Sequence, residues 1–427
     1  MRKGLTALVA ALVVPSGAEA APPLVTAVFP QGRATAHEFR RIRAAGAAAV
    51  RLSLPWALVA PTRPASPADP SDPAYDWTQT DRAVELARAR GLRSLLTVFS
   101  APAWAGGRGP SPRQFGLFAR AAARRYSGAF HDLPRVRDWL CWNEPNLSKY
   151  LAPQRSGGRL AGADRYRRLV KFFGRAVHAV HRDNVVVAGL VSPFTYRHDP
   201  GPLAFMRAFL SVPVKFDAWA VHPYTSGGPT HHAYNRNDVS LGDLPEVRAL
   251  LRAHRVRAKL WVTEFSWDSK PPDRAGVPAR LEGRWVAEAL YRAWGAGVSL
   301  FTWFSLRDEP RPSPFQSGLF FRRWRPKPAL HAFRFPFVAF HHLGRIALWG
   351  RTPASDRRNV VIERSDGLGW DRLGVLRAGR HGIFSGSILG PSDRSWRVRA
   401  RLAGMPIASL TFALKRPRDR FVEPFGT

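Results

Sequence analysis

The sequence predicts a (β/α)8 barrel followed by a small all-β, sandwich-like module. Three observations predict it. Eight short, apolar, β-rich runs alternate with segments of helical period between residues 24 and 335. Most of those runs are apolar on both faces, as strands must be when helices cover both sides of a parallel sheet. Beyond residue 336 the helical period gives way to short alternating runs separated by Gly and Asp, the pattern of antiparallel strands.

The strands are expected at 24–29, 49–54, 93–99, 136–142, 185–190, 218–222, 259–265 and 298–304, and the helices near 35–45, 77–90, 112–126, 163–182, 202–210, 244–254 and 279–295. Gly46, Gly91 and Gly297 stand just before the next strand, where a helix commonly ends in a left-handed residue. No Gly-rich phosphate fingerprint follows the first strand, which argues against an open dinucleotide-binding sheet. Four segments that follow strands are long: 60–76 is Pro-rich, 146–163 Gly-rich, 225–241 polar, and 307–325 basic and aromatic. In such a barrel these lie on the rim where strand ends assemble a cleft. The later runs, 345–349, 359–363, 382–387, 396–402 and 409–414, read as strands of the second module. The organisation expected is a leader at 1–20, a barrel at 21–336 and a β module at 337–427. The Phe-rich connection at 332–342 has no Gly/Ser linker, so the module is expected to pack on the barrel.

The 427 residues carry 65 Lys and Arg against 31 Asp and Glu, a net charge of +34. Only eight of the cations are Lys, and no basic tail or stripe concentrates the excess along the chain. The charge therefore reads as a general Arg bias, and no nucleic-acid partner is expected. The single Cys141 rules out intrachain disulfides and Cys-based metal frameworks. Arg2 and Lys3, an apolar run to Val14, and Ala18-Glu19-Ala20 read as a secretory leader cleaved after Ala20. That run is too short for a stable span, so the protein is expected to be secreted, with no stable membrane insertion.

The chemistry sits at two strand ends. The fourth strand runs into Trp142-Asn143-Glu144-Pro145-Asn146, and the seventh into Val262-Thr263-Glu264-Phe265. Two carboxylates three strands apart on a ring of eight face each other across the barrel mouth. That suits glycoside cleavage: one carboxyl protonates the leaving oxygen, and the other attacks the anomeric carbon or activates water.

These two motifs resemble the paired signatures of the clan A glycoside hydrolases, with a flavour of families 39 and 5 in Ala101-Pro102-Ala103-Trp104-Ala105 and Tyr75-Asp76-Trp77. Arg51 resembles the clan's second-strand Arg, His222-Pro223-Tyr224 its sixth-strand motif, and Trp303 its eighth-strand Trp. The resemblance implies a retaining glycosidase with Glu144 as acid/base and Glu264 as nucleophile. Asn143 would hold a sugar hydroxyl, Arg51 and Tyr224 would keep Glu264 ionised, and Trp56, Trp104 and Trp303 would offer flat faces to sugar rings. His222 would position the acid/base or serve as a core His.

No cofactor and no metal are expected. His231-His232 and His341-His342 are adjacent pairs whose side chains diverge in extended chain, with no supporting acid or Cys cluster. No Gly-x-Ser-x-Gly elbow is present. The partner expected is an oligo- or polysaccharide with β linkages; the alternative is a catalytically inactive barrel that binds polysaccharide or cell envelope.

Overall fold

The computed structural model describes residues 22–414 except 31, 33, 311–314, 343, 354 and 390–395, together with a two-residue strand at Val14–Pro15. The leader expected at 1–20 otherwise lies outside the described residues. Eight parallel strands close into a barrel in sequence order: β1 Val25–Phe29, β2 Ala49–Pro55, β3 Arg93–Phe99, β4 Asp138–Cys141, β5 Val185–Val191, β6 Ala218–Val221, β7 Lys259–Val262 and β8 Val298–Phe304. The last strand pairs with the first through Leu300 opposite Val25 to Phe304 opposite Phe29, which removes any sheet edge. Around them run α1 Ala36–Ala44, α2 Thr78–Ala89, α3 Pro112–Arg125, α4 Ala161–Val180, α5 Pro202–Leu210, α6 Leu244–Ala253, α7 Ala279–Gly295 and α8 Pro328–Arg334.

Local chemistry explains these boundaries. Thr35 caps α1 by accepting the Glu38 N–H at 3.2 Å, and α3, α5 and α8 each have Pro in the first turn, where its missing N–H costs nothing. Gly46, Gly91 and Gly297 take φ of +82°, +62° and +81°, the left-handed turn that sends each chain back into the barrel. Helix α4 buries Tyr166, Leu169, Val170, Phe173 and Val177, one helical stripe. Inside the barrel, Ala27, Ala49, Leu95, Leu140, Val187 and Leu300 surround Trp261 in a cluster separate from the outer core. The barrel is thus a filled core, and any cleft must lie at its mouth.

Three expected strands end earlier than the sequence suggested. β4, β6 and β7 stop at Cys141, Val221 and Val262, so the polar residues after them stand on loops just past the ladder. At β4 the cause is backbone: Trp142 has φ +72°, which ends strand geometry. Helix α8 was not anticipated, because a seven-residue helix carries barely two turns of pattern.

The second module forms two four-stranded antiparallel sheets. One orders Val14–Pro15, β13 Ile383–Leu389, β10 Arg345–Arg351 and β9 Phe337–His342; the other orders β12 Asp371–Arg377, β11 Asn359–Ser365, β14 Arg397–Leu402 and β15 Phe412–Ala413. Strands β9 and β12 were missed, the first because its Phe-rich run reads as a connection and the second because Asp371, Arg372 and Arg377 leave little apolar alternation. Phe340 meets Phe412 across the sheets at 5.2 Å. The module docks on α7, where Tyr291 and Trp294 pack on Trp349 at 5.4 and 5.6 Å and Arg284 lies 3.6 Å over Phe412. Arg351 donates to Thr26 Oγ1 at the start of β1, so the module reaches the barrel end opposite the strand C-termini.

Candidate active site

The strand C-termini surround a cleft of ≈ 690 Å³ whose lining includes Arg51, Asn143, Glu144, Tyr224 and Glu264. The chain leaves β4 through two left-handed residues, Trp142 and Glu144, the latter at φ +43°. Such conformations cost about 1–3 kcal/mol each and persist only where neighbours fix them. Here the Glu144 N–H donates to Leu190 O at 3.0 Å. The Tyr166 hydroxyl of α4 donates to Cys141 O at 2.8 Å and accepts the Gly189 N–H at 2.9 Å, joining the ends of β4 and β5. Fully buried Asn146 completes the clamp: its amide donates to Ser192 O and Pro200 O, and its oxygen accepts the Ser192 N–H.

Glu264 is held from two sides. Arg51 Nη1 lies 2.5 Å from Oε1, and the Tyr224 hydroxyl donates to Oε2 at 3.2 Å. Burial pushes the Glu264 carboxyl up, but the charges of His222 and Arg51 and the hydrogen bonds from Arg51 and Tyr224 outweigh it, holding the group below its ordinary value. Burial and the two glutamates push the Tyr224 phenol far up, so it remains a donor. Arg51 is itself fixed by Thr97 Oγ1 at 3.0 Å and Thr263 O at 3.0 Å. Its remaining nitrogen donates to Asn143 Oδ1 at 2.8 Å, which turns the Asn143 NH2 into the group available to a ligand.

His222 is fully buried and stands between the glutamates, with Nδ1 3.2 Å from Glu144 Oε1 and 3.8 Å from Glu264 Oε2. Its Nε2 is 3.1 Å from Thr263 Oγ1. One oxygen of each glutamate and a His222 nitrogen all lie within 4.8 Å of one another. Both carboxylates keep a small opening to the cleft, with side chains 14% and 13% exposed. This trio has metal-ligating atom types, but the Arg51 guanidinium already occupies the near face of Glu264 and opposes a cation there. His232, Asp243 and Glu246 form a second cluster, in which Asp243 is committed to His232 and to the N–H groups of Ala233 and Ser240.

The structure therefore brings together Arg51, Asn143, Glu144, His222, Tyr224 and Glu264. It does not bring Trp56, Trp104 or Trp303 to the cleft, and the sugar-platform role expected of them is corrected. Trp56 opens a short helix after β2 that turns its indole into an aromatic core, stacked on Phe118 at 5.3 Å and edge-on to Trp104 at 5.4 Å. Trp104 is tied back by donation to Ala60 O at 2.9 Å. Trp303 is fully buried, donates to Ser317 O and packs against Phe265. The apolar walls come instead from Phe29, Phe99 and Phe304, with Tyr150, Phe194 and Tyr196. The first three end β1, β3 and β8, and that terminal position was the signal available in sequence. Lys149 also lines the cleft, its ammonium 4.8 Å over the Tyr150 ring.

Comparison with solved structures agrees on the closed-barrel fold. A family 39 glycoside hydrolase from Bacteroides cellulosilyticus aligns with a TM-score of 0.58 and 17% identity over 87% of this chain and 81% of its own. A glucosidase from Croceicoccus marinus gives 0.56 and 15% over 89% and 98%. A monomeric β-xylosidase from Caulobacter crescentus gives 0.54 and 14% over 89% and 99%. At 87–89% coverage these alignments extend past the barrel into the β module, so the chain shares the fold of these structures along most of its length. No protein-family model matches the chain, and no curated protein matches it.

Proposed function

We propose that the protein is a secreted, retaining glycoside hydrolase that cleaves a β-linked glycan by double displacement. The observation that carries this is the glutamate pair, with oxygens within 4.8 Å. An inverting enzyme separates its carboxyls by roughly 6.5–9.5 Å to admit water, whereas a retaining one needs about 5–5.5 Å.

The two environments differ as the two roles demand. Glu264, held ionised by Arg51 and Tyr224, attacks the anomeric carbon and forms the glycosyl-enzyme. Among the described residues Glu144 has no Arg or Lys at hydrogen-bond distance; its ion-pair contact is His222. It gives its proton to the departing oxygen and then takes one from the incoming water. The Asn143 NH2 donates to the hydroxyl beside the reacting carbon, where a hydrogen bond strengthens as positive charge develops. Phe29, Phe99 and Phe304 cover the apolar faces of the ring.

The fold neighbours include a β-xylosidase and a glucosidase, which makes aryl β-xylosides and β-glucosides the first probes. Turnover of an aryl β-glycoside, with the β-anomer as first product by NMR and loss of activity in Glu144→Gln and Glu264→Gln, is the expected result. Glycan binding without turnover in the wild type would instead identify an inactive binding barrel.

A further inference from the structure

We infer that the outer face of α4 carries a second binding site, for an anionic polysaccharide, remote from the catalytic cleft. It is a groove of ≈ 580 Å³ between α4 and the loop that follows α5. Arg167, Arg168, Lys171, Arg175 and Lys215 line it, with Val212, Pro213 and Val214 among the apolar lining, and no acidic side chain among the described residues does. The inference is independent of whether Glu144 and Glu264 cleave a glycan.

The sequence hides this concentration of charge because the cations are spaced helically and completed by a residue from another loop. Positions 168, 171 and 175 fall on one face of α4, separated along the axis by about 4.5 and 6 Å at 1.5 Å per residue. They form a ladder suited to a polymer with regularly repeated anions. Arg168, Lys171, Arg175 and Lys215 are all exposed, and none of them has an ion-pair partner among the described residues. The nearby acids are already engaged, Asp164 with Arg167 at 2.6 Å and Asp217 with His178 at 3.1 Å. Arg167 is committed further, to Phe209 O and Ala208 O, so it shapes the wall and leaves the ladder to the others.

The lining selects the polymer. Among the described residues no Phe, Tyr or Trp lines the groove, and the one ring there, His178, is held by Asn184 O and Asp217, so the groove lacks the row of stacking platforms that single-stranded nucleic acids use. It is concave, where a bilayer surface needs a flat or convex basic face. The Val-Pro-Val edge offers apolar contact to the C–H faces of sugars, while the cations meet carboxylates or sulfates.

The test measures binding of a fluorescent oligogalacturonate and of dextran sulfate to the full-length protein across a salt series, with neutral dextran, a single-stranded oligonucleotide and phosphatidylglycerol vesicles alongside. The double variant Lys171→Glu/Arg175→Glu is expected to weaken both anionic glycans at least tenfold. It should also flatten the plot of log affinity against log salt by about 1.4, taking roughly 0.7 for each lost contact with a flexible polyanion. Arg40→Glu/Arg88→Glu, which reverses two exposed cations on α1 and α2, should cost less than threefold. Lys171→Gln/Arg175→Gln repeats the comparison if the charge reversal impairs folding, judged by circular dichroism. Equal losses in the two double variants would assign the binding to overall charge and overturn the site. Tighter binding of the oligonucleotide or the vesicles, with the same dependence on Lys171 and Arg175, would overturn the polysaccharide.

Discussion

His222 Nδ1 lies 3.2 Å from Glu144 Oε1, while the opposite ring nitrogen is held 3.1 Å from Thr263 Oγ1. A fully buried imidazole fixed at one end aims its other end at the Glu144 carboxyl, and under the proposed mechanism His222 is then a positioning residue for proton delivery. His222→Gln is therefore expected to reduce kcat about 10²-fold on substrates whose leaving group must be protonated. On dinitrophenyl glycosides, which depart without a proton, the first step should fall by less than about tenfold. Comparing pre-steady-state rates on the two substrates checks this; equal losses on both would assign His222 a general structural role.

Under the proposed mechanism, the groups that hold Glu264 ionised, His222 and Arg51 by charge and Arg51 and Tyr224 by hydrogen bonds, set the acid limb of the pH profile. A nucleophilic Glu264 must be ionised to attack, as the proposal requires, and in the folded protein its carboxyl is held below its ordinary value. Wild-type kcat/KM should therefore stay high as pH falls to about 4.5, the usual carboxyl value. In Tyr224→Phe one donor to the ionised form is lost, so the acid limb should move to higher pH by up to about one unit, given about 1 kcal/mol for the hydrogen bond. An unchanged limb would mean that the limb reports a group other than Glu264.

Both glutamates are legible in the sequence because barrel strands announce themselves as buried apolar runs, and a polar residue closing such a run stands out. The tryptophans were misread for a physical reason. An indole is large enough to serve as a sugar platform or as a core filler, and composition does not show which way a loop turns it. The turn after Pro55 sends Trp56 inward onto Phe118. Tyr166 and Asn146 escaped notice as clamps because their hydrogen bonds span separations of 23 to 54 residues, which no local pattern records.

Glu282 gives stability an unusual pH dependence. Its two carboxyl oxygens are buried with no hydrogen-bond partner among the described residues, and burial raises its carboxyl to about 8, with Lys327 opposing and Asp308 and Asp268 adding to the rise. The folded state thus keeps a proton that the unfolded state releases near 4.5. Its contribution is complete below that value, falls as pH rises toward about 8, and levels off beyond. Glu282→Gln should raise the denaturation midpoint clearly near pH 9 and much less near pH 5. The same increment at both pH values would contradict a protonated Glu282 in the folded protein.

Trp349 joins the β module to α7 through Tyr291 and Trp294. Trp349→Ala should cost about 3–5 kcal/mol, the range for deleting a large buried aromatic, and should open the connection near residue 340 to limited proteolysis. Wild-type protein should resist cleavage there. A wild type cut at that connection to release an intact barrel would show that the interface contributes little.

The roles proposed for the two glutamates are separable by rescue with a small anion. Glu264→Ala removes the attacking group and should abolish turnover on every natural substrate. Glu144→Ala leaves the nucleophile held by Arg51 and Tyr224, so dinitrophenyl glycosides should still glycosylate it, and the intermediate should accumulate because no base activates water. Azide needs no deprotonation. In Glu144→Ala it should attack the glycosyl-enzyme from the face the leaving group vacated and release a β-glycosyl azide, a product of two inversions. In Glu264→Ala it enters the space left by the carboxylate, displaces the leaving group once and yields the α-azide. Product anomers read by NMR decide the assignment: exchange of the two outcomes would place the nucleophile at Glu144, and wild-type rates in both variants would remove the two glutamates from the chemistry.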